Sequence, residues 1–525
     1  MSTDSDSASP VARRFHDATT HTPHSVRASG HRLDWDIKPF PFKVYTAAPT
    51  VALPRTFDPV TTDTLASIAG TGMPQGVPLD LQRLAALLYL SAGVTKKKVY
   101  PGGGEVLFRA AASTGALYQT EVYVAAGEVE GLAPGLYHFC PGDFMLRQLR
   151  AGDVRGALAH AAADPALGRR AAIGVLTAIY WRNTWKYQAR GFRHLFWDSG
   201  TMLANVLASG NALGLAPALV TGFVDDDVNH VVGIDVNLDG PWPSNDRARE
   251  AALELVGLGP LGTAAAEPGP LPAITLETLP LSSTEVDYPS LREMMEASHL
   301  TSVEEVRAWR RAAPLPARSS GGTRVRLPAP RDAAGGSLSE TIQRRGSTRQ
   351  FSHAPIQTVE LATALWAASR PIPADVPLGL VDLFLIVNAV EGLAPGAYVY
   401  RPAPHALELI RAGGLRDLAG YLALEQPIAG DAAAVIFFLA PLDEVLARWG
   451  DRGYRLVNLE AGIAGGRAYL AAYGLGFGAS GLTFYDQLVV EAFAPASAGM
   501  DAIFVTALGR SVREPRAPVI DRISR

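Results

Sequence analysis

The sequence predicts an α+β chain built as a tandem duplication, and three observations carry that reading. The heptapeptide Val129-Glu130-Gly131-Leu132-Ala133-Pro134-Gly135 returns unchanged as Val390-Glu391-Gly392-Leu393-Ala394-Pro395-Gly396, an offset of 261. Weaker echoes follow in the same order: Tyr137-His138-Phe139 with Tyr398-Val399-Tyr400, Arg150-Ala151-Gly152 with Arg411-Ala412-Gly413, Arg190-Gly191-Phe192-Arg193 with Arg452-Gly453-Tyr454-Arg455, and Leu213-Gly214-Leu215 with Tyr473-Gly474-Leu475. Each half then closes on an apolar strand ending in Leu-Gly, at Leu258-Gly259 and Leu508-Gly509. One short identity can arise by chance in an Ala/Gly/Leu-rich chain, but a run of ordered matches does not. A period of this size is that of a domain, not of a solenoid repeat.

Composition bounds the class. At 525 residues, 48% hydrophobic and 19% charged, the chain has room for several ordinary globular cores. A net charge of −4 offers no bulk attraction to nucleic acid or to an anionic membrane. The one cysteine, Cys140, rules out an internal disulfide and a cysteine-clustered metal site. It reads as a buried residue and suits a reducing cytoplasm. No metal is expected, and no apolar run reaches the ~18 residues of a membrane span. Lysine occurs only at 38, 43, 96, 97, 98 and 186 among the 47 basic residues.

In order, residues 1–12 read as a polar, disordered tail. Residues 13–80 read as an extended arm, because aromatics and prolines recur without a period, as in Trp35-Asp36-Ile37-Lys38-Pro39-Phe40-Pro41-Phe42. The first domain spans 81–261. It opens with a helix over 81–89 (Leu81, Leu84, Ala85, Leu88), then the Gly102-Gly103-Gly104 loop and strands over 121–125, 136–139, 145–149 and 171–180. A long helix follows over 183–212, with last strands over 219–223 and 252–258. Residues 262–336 break the pattern and read as a Gly/Pro/Ala-rich linker with short helices over 291–298 and 303–311, the second opened by a Ser302/Glu305 capping box. The second domain, 337–515, repeats the plan: helices over 338–345 and 359–369, strands over 380–387 and 433–439, a long helix over 454–473 and a closing strand over 502–508. Residues 516–525 form a tail. Gly135 and Gly396, in the repeated turn, are available for positive φ.

Three stretches carry chemistry. Arg344-Arg345-Gly346-Ser347-Thr348-Arg349 sets guanidinium forks and a hydroxyl just past a helix end, a good phosphate clamp, although an exposed basic turn is the plainer reading. Gly474-Leu475-Gly476-Phe477-Gly478-Ala479-Ser480-Gly481 lets backbone N–H groups approach a flat polar ring, or else caps a helix. The third is Arg109-Ala110-Ala111-Ala112-Ser113-Thr114-Gly115-Ala116-Leu117-Tyr118.

That third stretch, followed by a strand and then Gly-Leu-x-Pro-Gly-x-Tyr, resembles the nitroreductase-fold, FMN-dependent SagB-type dehydrogenases, which oxidise azolines to azoles in ribosomally made peptides. The likeness extends to His16–Arg27, Leu33-Asp34-Trp35, Pro41-Phe42-Lys43-Val44-Tyr45, Arg182-Asn183-Thr184-Trp185-Lys186-Tyr187 and Gly450–Arg455, most of the chain outside the linker. One departure is Ala112, where the family usually has proline before the motif serine.

The resemblance implies a tandem nitroreductase-like fold forming an intrachain pseudo-dimer, with FMN bound between the copies. In such dimers one subunit supplies a Ser-x-Arg clamp, a glycine cradle and a terminal basic residue, and the other supplies the Ser-x-Gly segment and a covering helix. On that pattern the second copy contributes Arg345, Ser347, Arg349, Gly476, Gly478, Ala479, Ser480 and Arg510, and the first contributes Ser113, Gly115, Ala116 and Leu117. The reverse site is defective: the second copy has Ala374-Asp375-Val376-Pro377-Leu378 for the Ser-x-Gly segment, and Pro217 removes an N–H from the first copy's cradle. Ser25-Val26-Arg27 has clamp spacing but lies far before Leu81. One FMN per chain is therefore expected.

Lys186 and Tyr187 correspond to the family's catalytic pair. Aromatising an azoline removes a hydride and a proton. A lysine desolvated beside a phenol can take the proton, whereas arginine stays charged. The resemblance further implies an azoline-containing precursor peptide as substrate, a cyclodehydratase complex as partner and dioxygen as oxidant. An NAD(P)H-dependent nitroreductase or quinone reductase and a non-catalytic scaffold of a cyclodehydratase complex stand as alternatives.

Overall fold

The computed structural model describes residues 9–70, 76–99, 105–234, 249–266, 269–318 and 321–512. The Gly102–Gly104 loop, most of the N-terminal tail and the 516–525 tail lie outside the described residues.

Two seven-stranded antiparallel sheets carry the chain. The first uses β1 (Thr50–Ala52), β2 (Thr120–Ala126), β3 (Gly135–Cys140), β4 (Met145–Ala151), β5 (Arg170–Ile179), β6 (Ala218–Val220) and β7 (Glu250–Leu261) in the order β1-β4-β3-β2-β5-β7-β6. The second uses β8 (Arg324–Arg326), β9 (Asp382–Val387), β10 (Gly396–Arg401), β11 (Ala406–Ala412), β12 (Ala434–Ala440), β13 (Gly478–Gly481) and β14 (Asp501–Gly509) in the order β8-β11-β10-β9-β12-β14-β13. The two orders are the same permutation. The fold is a tandem α+β duplication closed on itself as a pseudo-dimer.

Helices repeat in parallel. In the first copy α1 is Leu81–Ala92, α2 Tyr180–Tyr187 and α3 Gly191–Ala212. In the second copy α4 is Leu338–Arg344, α5 Thr358–Ala368, α6 Leu442–Trp449 and α7 Arg452–Gly474. The helix expected over 183–212 is broken at Gln188, whose φ of 52° and ψ of −147° reverse the chain between α2 and α3. Gly450 makes the same reversal (58°, −158°) between α6 and α7.

Helix α3 lies on the first sheet, α7 on the second, and the two pack on each other. Glycines permit the approach. A β-carbon on Gly462 would stand 2.5 Å from the Trp197 carbonyl oxygen, and one on Gly200 2.6 Å from that of Leu459. The Trp197 indole N–H donates to Asn458 Oδ1 at 2.8 Å across this seam.

The repeated heptapeptide is a fastening. The Tyr137 hydroxyl donates to the Ala133 carbonyl at 2.8 Å, and Tyr398 to Ala394 at 2.7 Å. Positive φ falls on Gly131 (83°) and Gly392 (74°), not on Gly135 and Gly396. The latter two are needed for close approach instead. A β-carbon on either would stand 2.6 Å from a carbonyl oxygen of the neighbouring strand, Arg150 or Arg411.

The segment read as a linker does not break the pattern. The N-terminal arm, expected to be extended, forms helices Val11–Ala18 and Pro23–Ala28, and its first helix begins inside the stretch assigned to the disordered tail. Helices Pro289–Ala297 and Val303–Arg310 answer them. Asp486 accepts from the His21 N–H (2.7 Å) and from Arg193 (2.6 Å), while Arg193 reaches the His16 carbonyl (2.8 Å). Asp225 accepts from the Leu300 N–H (2.9 Å) and from Arg455 (2.8 Å), while Arg455 reaches the Met295 carbonyl (3.1 Å). Arm and linker are thus copies of one docking device, recognisable only because each repeats its partners. The Ser302 cap holds the Glu305 N–H at 3.2 Å, but the Glu305 carboxylate turns to Thr301 instead of closing a capping box.

Candidate active site

The clamp loop leaves α4 and is held from both copies. Lys96, on the strand Val94–Val99 of a first-copy hairpin, donates Nζ to the carbonyls of Arg344 (2.9 Å) and Arg345 (2.6 Å). These carbonyls sit at a helix C-terminus, where acceptors lack intrahelical partners. Burial, assisted by the Arg345 charge, brings the Lys96 ammonium down to about 8.

Arg345 does not present its guanidinium as a clamp. Nε donates to the Ala110 carbonyl at 2.8 Å and Nη2 to that of Arg109 at 3.1 Å, so it ties the loop to the first copy. Arg510 is likewise committed, with Nη2 at 2.7 Å from the Glu360 carboxylate. Ser25 closes a capping box with Thr22, and Arg27 pairs with Glu425 at 3.0 Å, so neither belongs to a clamp.

Arg349 is different. It is exposed and makes no hydrogen bond or ion pair among the described residues. Beside it the Ser347 hydroxyl lies 3.4 Å from the Tyr469 hydroxyl, which in turn accepts the Gly481 N–H. The Thr348 N–H donates to the Ala479 carbonyl at 2.9 Å, and Thr348 Oγ1 fills the space that a β-carbon on Gly478 would need. Clamp and glycine strand are therefore one surface. Ser480 is buried within β13. Gly476 stands apart from that surface. With φ of 83° it ends α7, where the Phe477 N–H returns to the Ala472 carbonyl at 2.9 Å.

The first copy supplies the opposite wall. Ser113 donates to Asp198 Oδ2 at 2.6 Å and accepts the Tyr118 N–H at 2.9 Å, so its hydroxyl is spent between its own loop and α3. Asp198 also accepts the Thr114 N–H (2.8 Å), the Thr114 hydroxyl (2.7 Å) and Gln119 Nε2 (2.8 Å). Burial drives this carboxyl up to about 6 against those donors. The loop it fastens turns through positive φ at Gly115 (64°) and Ala116 (55°), ahead of Leu117.

Lys186 and Tyr187 close α2 over that loop. The Tyr187 ring meets the His194 ring edge-on at 4.5 Å, and Lys186 Nζ lies 5.3 Å from the Tyr187 ring centre. Burial, then the nearby Arg349 charge, lowers the Lys186 ammonium below its ordinary value. Burial and Asp198 raise the Tyr187 phenol, with Arg349 opposing. Arg349 comes from one copy and the pair from the other, so the constellation exists only where the two halves meet.

Lys96, Asp198 and Tyr469 escaped the sequence reading. Scarcity of lysine marked Lys96 as much as Lys186, and Asp198 is an acidic residue directly after the apolar run Leu195-Phe196-Trp197.

The nitroreductase-family model matches residues 342–510. A protein of Methanocaldococcus jannaschii provisionally named a nitroreductase is 30% identical over 158 residues, which cover 30% of this chain and 76% of the relative. The chain belongs to the nitroreductase family. A crystal structure from Anabaena variabilis, also provisionally named a nitroreductase, superposes on both copies of this family member, with a TM-score of 0.73, 28% identity, 96% of this chain and 99% of the other covered.

Nitroreductase-family proteins are oxidoreductases that typically bind FMN. The donor set here fits such a group. Arg349 is an uncommitted guanidinium for a phosphate, Ser347 adds a hydroxyl, and β13 is an edge strand with glycines at both ends.

Proposed function

We propose that this chain is an FMN-dependent dehydrogenase that oxidises thiazolines or oxazolines of a peptide to thiazoles or oxazoles. The observation that carries the reading is Lys186, half-buried at the end of α2, beside Tyr187 and under the charge of Arg349. FMN, held by Ser347, Arg349 and the 478–481 strand, supplies the hydride acceptor. Lys186 takes the proton: burial and a neighbouring cation enlarge its neutral fraction near physiological pH, which no arginine could match. Tyr187 keeps its proton, because burial and Asp198 oppose ionisation, and it orients the substrate beside Lys186 by hydrogen bonding. Gly115 leaves room for that phenol. Azolines arise by cyclodehydration of Cys, Ser or Thr, so the substrate is a precursor peptide delivered from a cyclodehydratase partner, and dioxygen is the terminal oxidant.

The names carried by the two relatives favour a second reading, NAD(P)H-driven reduction of quinones or nitroaromatics. Lys186→Ala and Tyr187→Phe decide between them. Both should stay yellow with bound FMN and lose azole formation at least a hundredfold. Azole formation near the wild-type rate removes the proton-transfer role, and rapid flavin reduction by NAD(P)H without any oxidation of azoline peptides selects the second reading. A chain that takes up no FMN sinks both.

A further inference from the structure

The duplication creates a second place where a strand end of one copy faces a helix end of the other, and there the chain fills it with itself. Val220-Thr221-Gly222-Phe223 answers Gly481-Leu482-Thr483-Phe484, each followed two residues later by the docking aspartate, Asp225 or Asp486. At the candidate active site Gly481 is exposed, and Leu482 and Thr483 are partly so. Their counterparts Val220, Thr221 and Gly222 are all buried.

Three residues do the burying. The Asp375 carboxylate accepts the N–H groups of Thr221 (2.8 Å) and Gly222 (3.0 Å) and the Thr221 hydroxyl (2.8 Å). Arg310, on the helix Val303–Arg310, donates to Asp375 at 2.7 Å and to the Gly222 carbonyl at 2.6 Å. Trp309 lays its ring where a β-carbon on Gly222 would be 2.9 Å away, and its indole N–H donates to the Trp449 carbonyl at 3.0 Å. Trp449 ends α6 as Tyr187 ends α2, yet it is only 1% exposed. In sequence, the positions leading into α1, Gly70 to Leu79, contain no lysine or arginine to answer Arg349.

The N-terminal arm is the counterpart of that plugging segment. Its helix Pro23–Ala28 starts from the Thr22 cap as Val303–Arg310 starts from Ser302, but it ends early, in the exposed Ser29 and Gly30. Counted from the two caps, Ser29 and Gly30 take the positions that Trp309 and Arg310 hold in the other half.

We infer that the two arms decide access: the helix Val303–Arg310, with Asp375, is a tethered plug in the second half-site, and the N-terminal arm, cut short to Ser29-Gly30, leaves the first half-site open to cofactor and to a peptide-borne heterocycle. The identity of the cofactor and substrate rests on the function proposed above; the closure of one half does not.

The test has two arms. Protein loaded with excess FMN and freed of unbound flavin should hold one flavin per chain by absorbance. Two per chain overturns the plug, while none overturns the FMN reading itself. Transplanting the plug, as Ser29→Trp with Gly30→Arg, should keep one flavin and its reoxidation rate by dioxygen. Oxidation of a synthetic thiazoline-containing peptide should fall at least tenfold, with KM raised. Wild-type peptide turnover in that variant, or loss of its flavin, overturns the assignment of the opening. If the wild-type chain binds one flavin but leaves the peptide untouched, the reading of the substrate fails while the plug stands.

Discussion

The phenol oxygen of Tyr187 stands 2.8 Å from the point where a β-carbon on Gly115 would lie. One residue comes from the end of a helix and the other from a loop more than seventy positions earlier, and Asp198 fastens that loop to α3, the helix that follows the tyrosine. The pair shows how the candidate site is made: a tight turn from one element leaves a space that a side chain from another fills.

Gly115→Ala should therefore act on both members. The positive φ adds about 1–3 kcal/mol of backbone strain for a side-chain-bearing residue, and the new methyl displaces the Tyr187 phenol. Thermal unfolding should report a lower midpoint, and azoline oxidation should fall with flavin still bound.

Arg349→Met should shift the pH profile. Arg349 lowers Lys186, so removing it favours the protonated amine and raises its pKa. The rising limb of kcat/KM against pH should move to higher pH at saturating FMN. A shift to lower pH, or none, would contradict the proximity of the two cations.

Lys96→Met should loosen the clamp without touching it. Two hydrogen bonds from a charged donor, each worth about 1.5–3 kcal/mol at most, hold the carbonyls of Arg344 and Arg345. FMN affinity, read by fluorescence titration, should weaken at least tenfold. Arg510→Met breaks an ion pair with Glu360 and a contact with the Phe477 ring, both away from Ser347 and Arg349, and should cost less.

Glu254 offers a stability test away from the site. Its carboxyl is fully buried, accepts from Ser199 at 2.9 Å and has no partner for its second oxygen among the described residues; burial pushes it up to about 8. A raised carboxyl binds its proton more tightly folded than unfolded. Its contribution is full below about 4.5 and is lost as pH rises through about 8. Glu254→Gln should flatten that decline, by about 1.4 kcal/mol per pH unit within the window, measured as urea midpoints at pH 5 and 8.5.

Gly462→Val should separate the halves. A β-carbon there meets the Trp197 backbone at 2.5 Å, and backbone cannot step aside as a side chain can. A loss of about 1–3 kcal/mol or more follows from overpacking, with flavin binding falling in step because the site spans the seam.

Much of this molecule was legible in its sequence. The strands, the long helices and the two-copy plan followed from period and repetition, since apolar residues at two- and 3.6-residue spacing have few other uses. The candidate residues Ser347, Arg349, Lys186 and Tyr187 were found by comparing the copies and by asking which could do acid–base work. Arg345, Arg510 and Ser113 pair with neighbours within the chain, and Gly476 ends α7. Each had suitable chemistry, and nothing in the sequence says whether a donor is already spent on a neighbour.

What the sequence determined by itself was therefore the inventory: two copies of one fold, and which copy kept a lysine, a serine or an arginine. Tertiary structure alone decided their employment. Arg345 was drawn to the carbonyls of Arg109 and Ala110, and Trp309 and Arg310 to Gly222 and Asp375. Those partners lie tens to hundreds of residues away, and pairing across such distances leaves no local period to read. It is settled by which buried carbonyl or carboxylate most needs a donor once the two halves have closed.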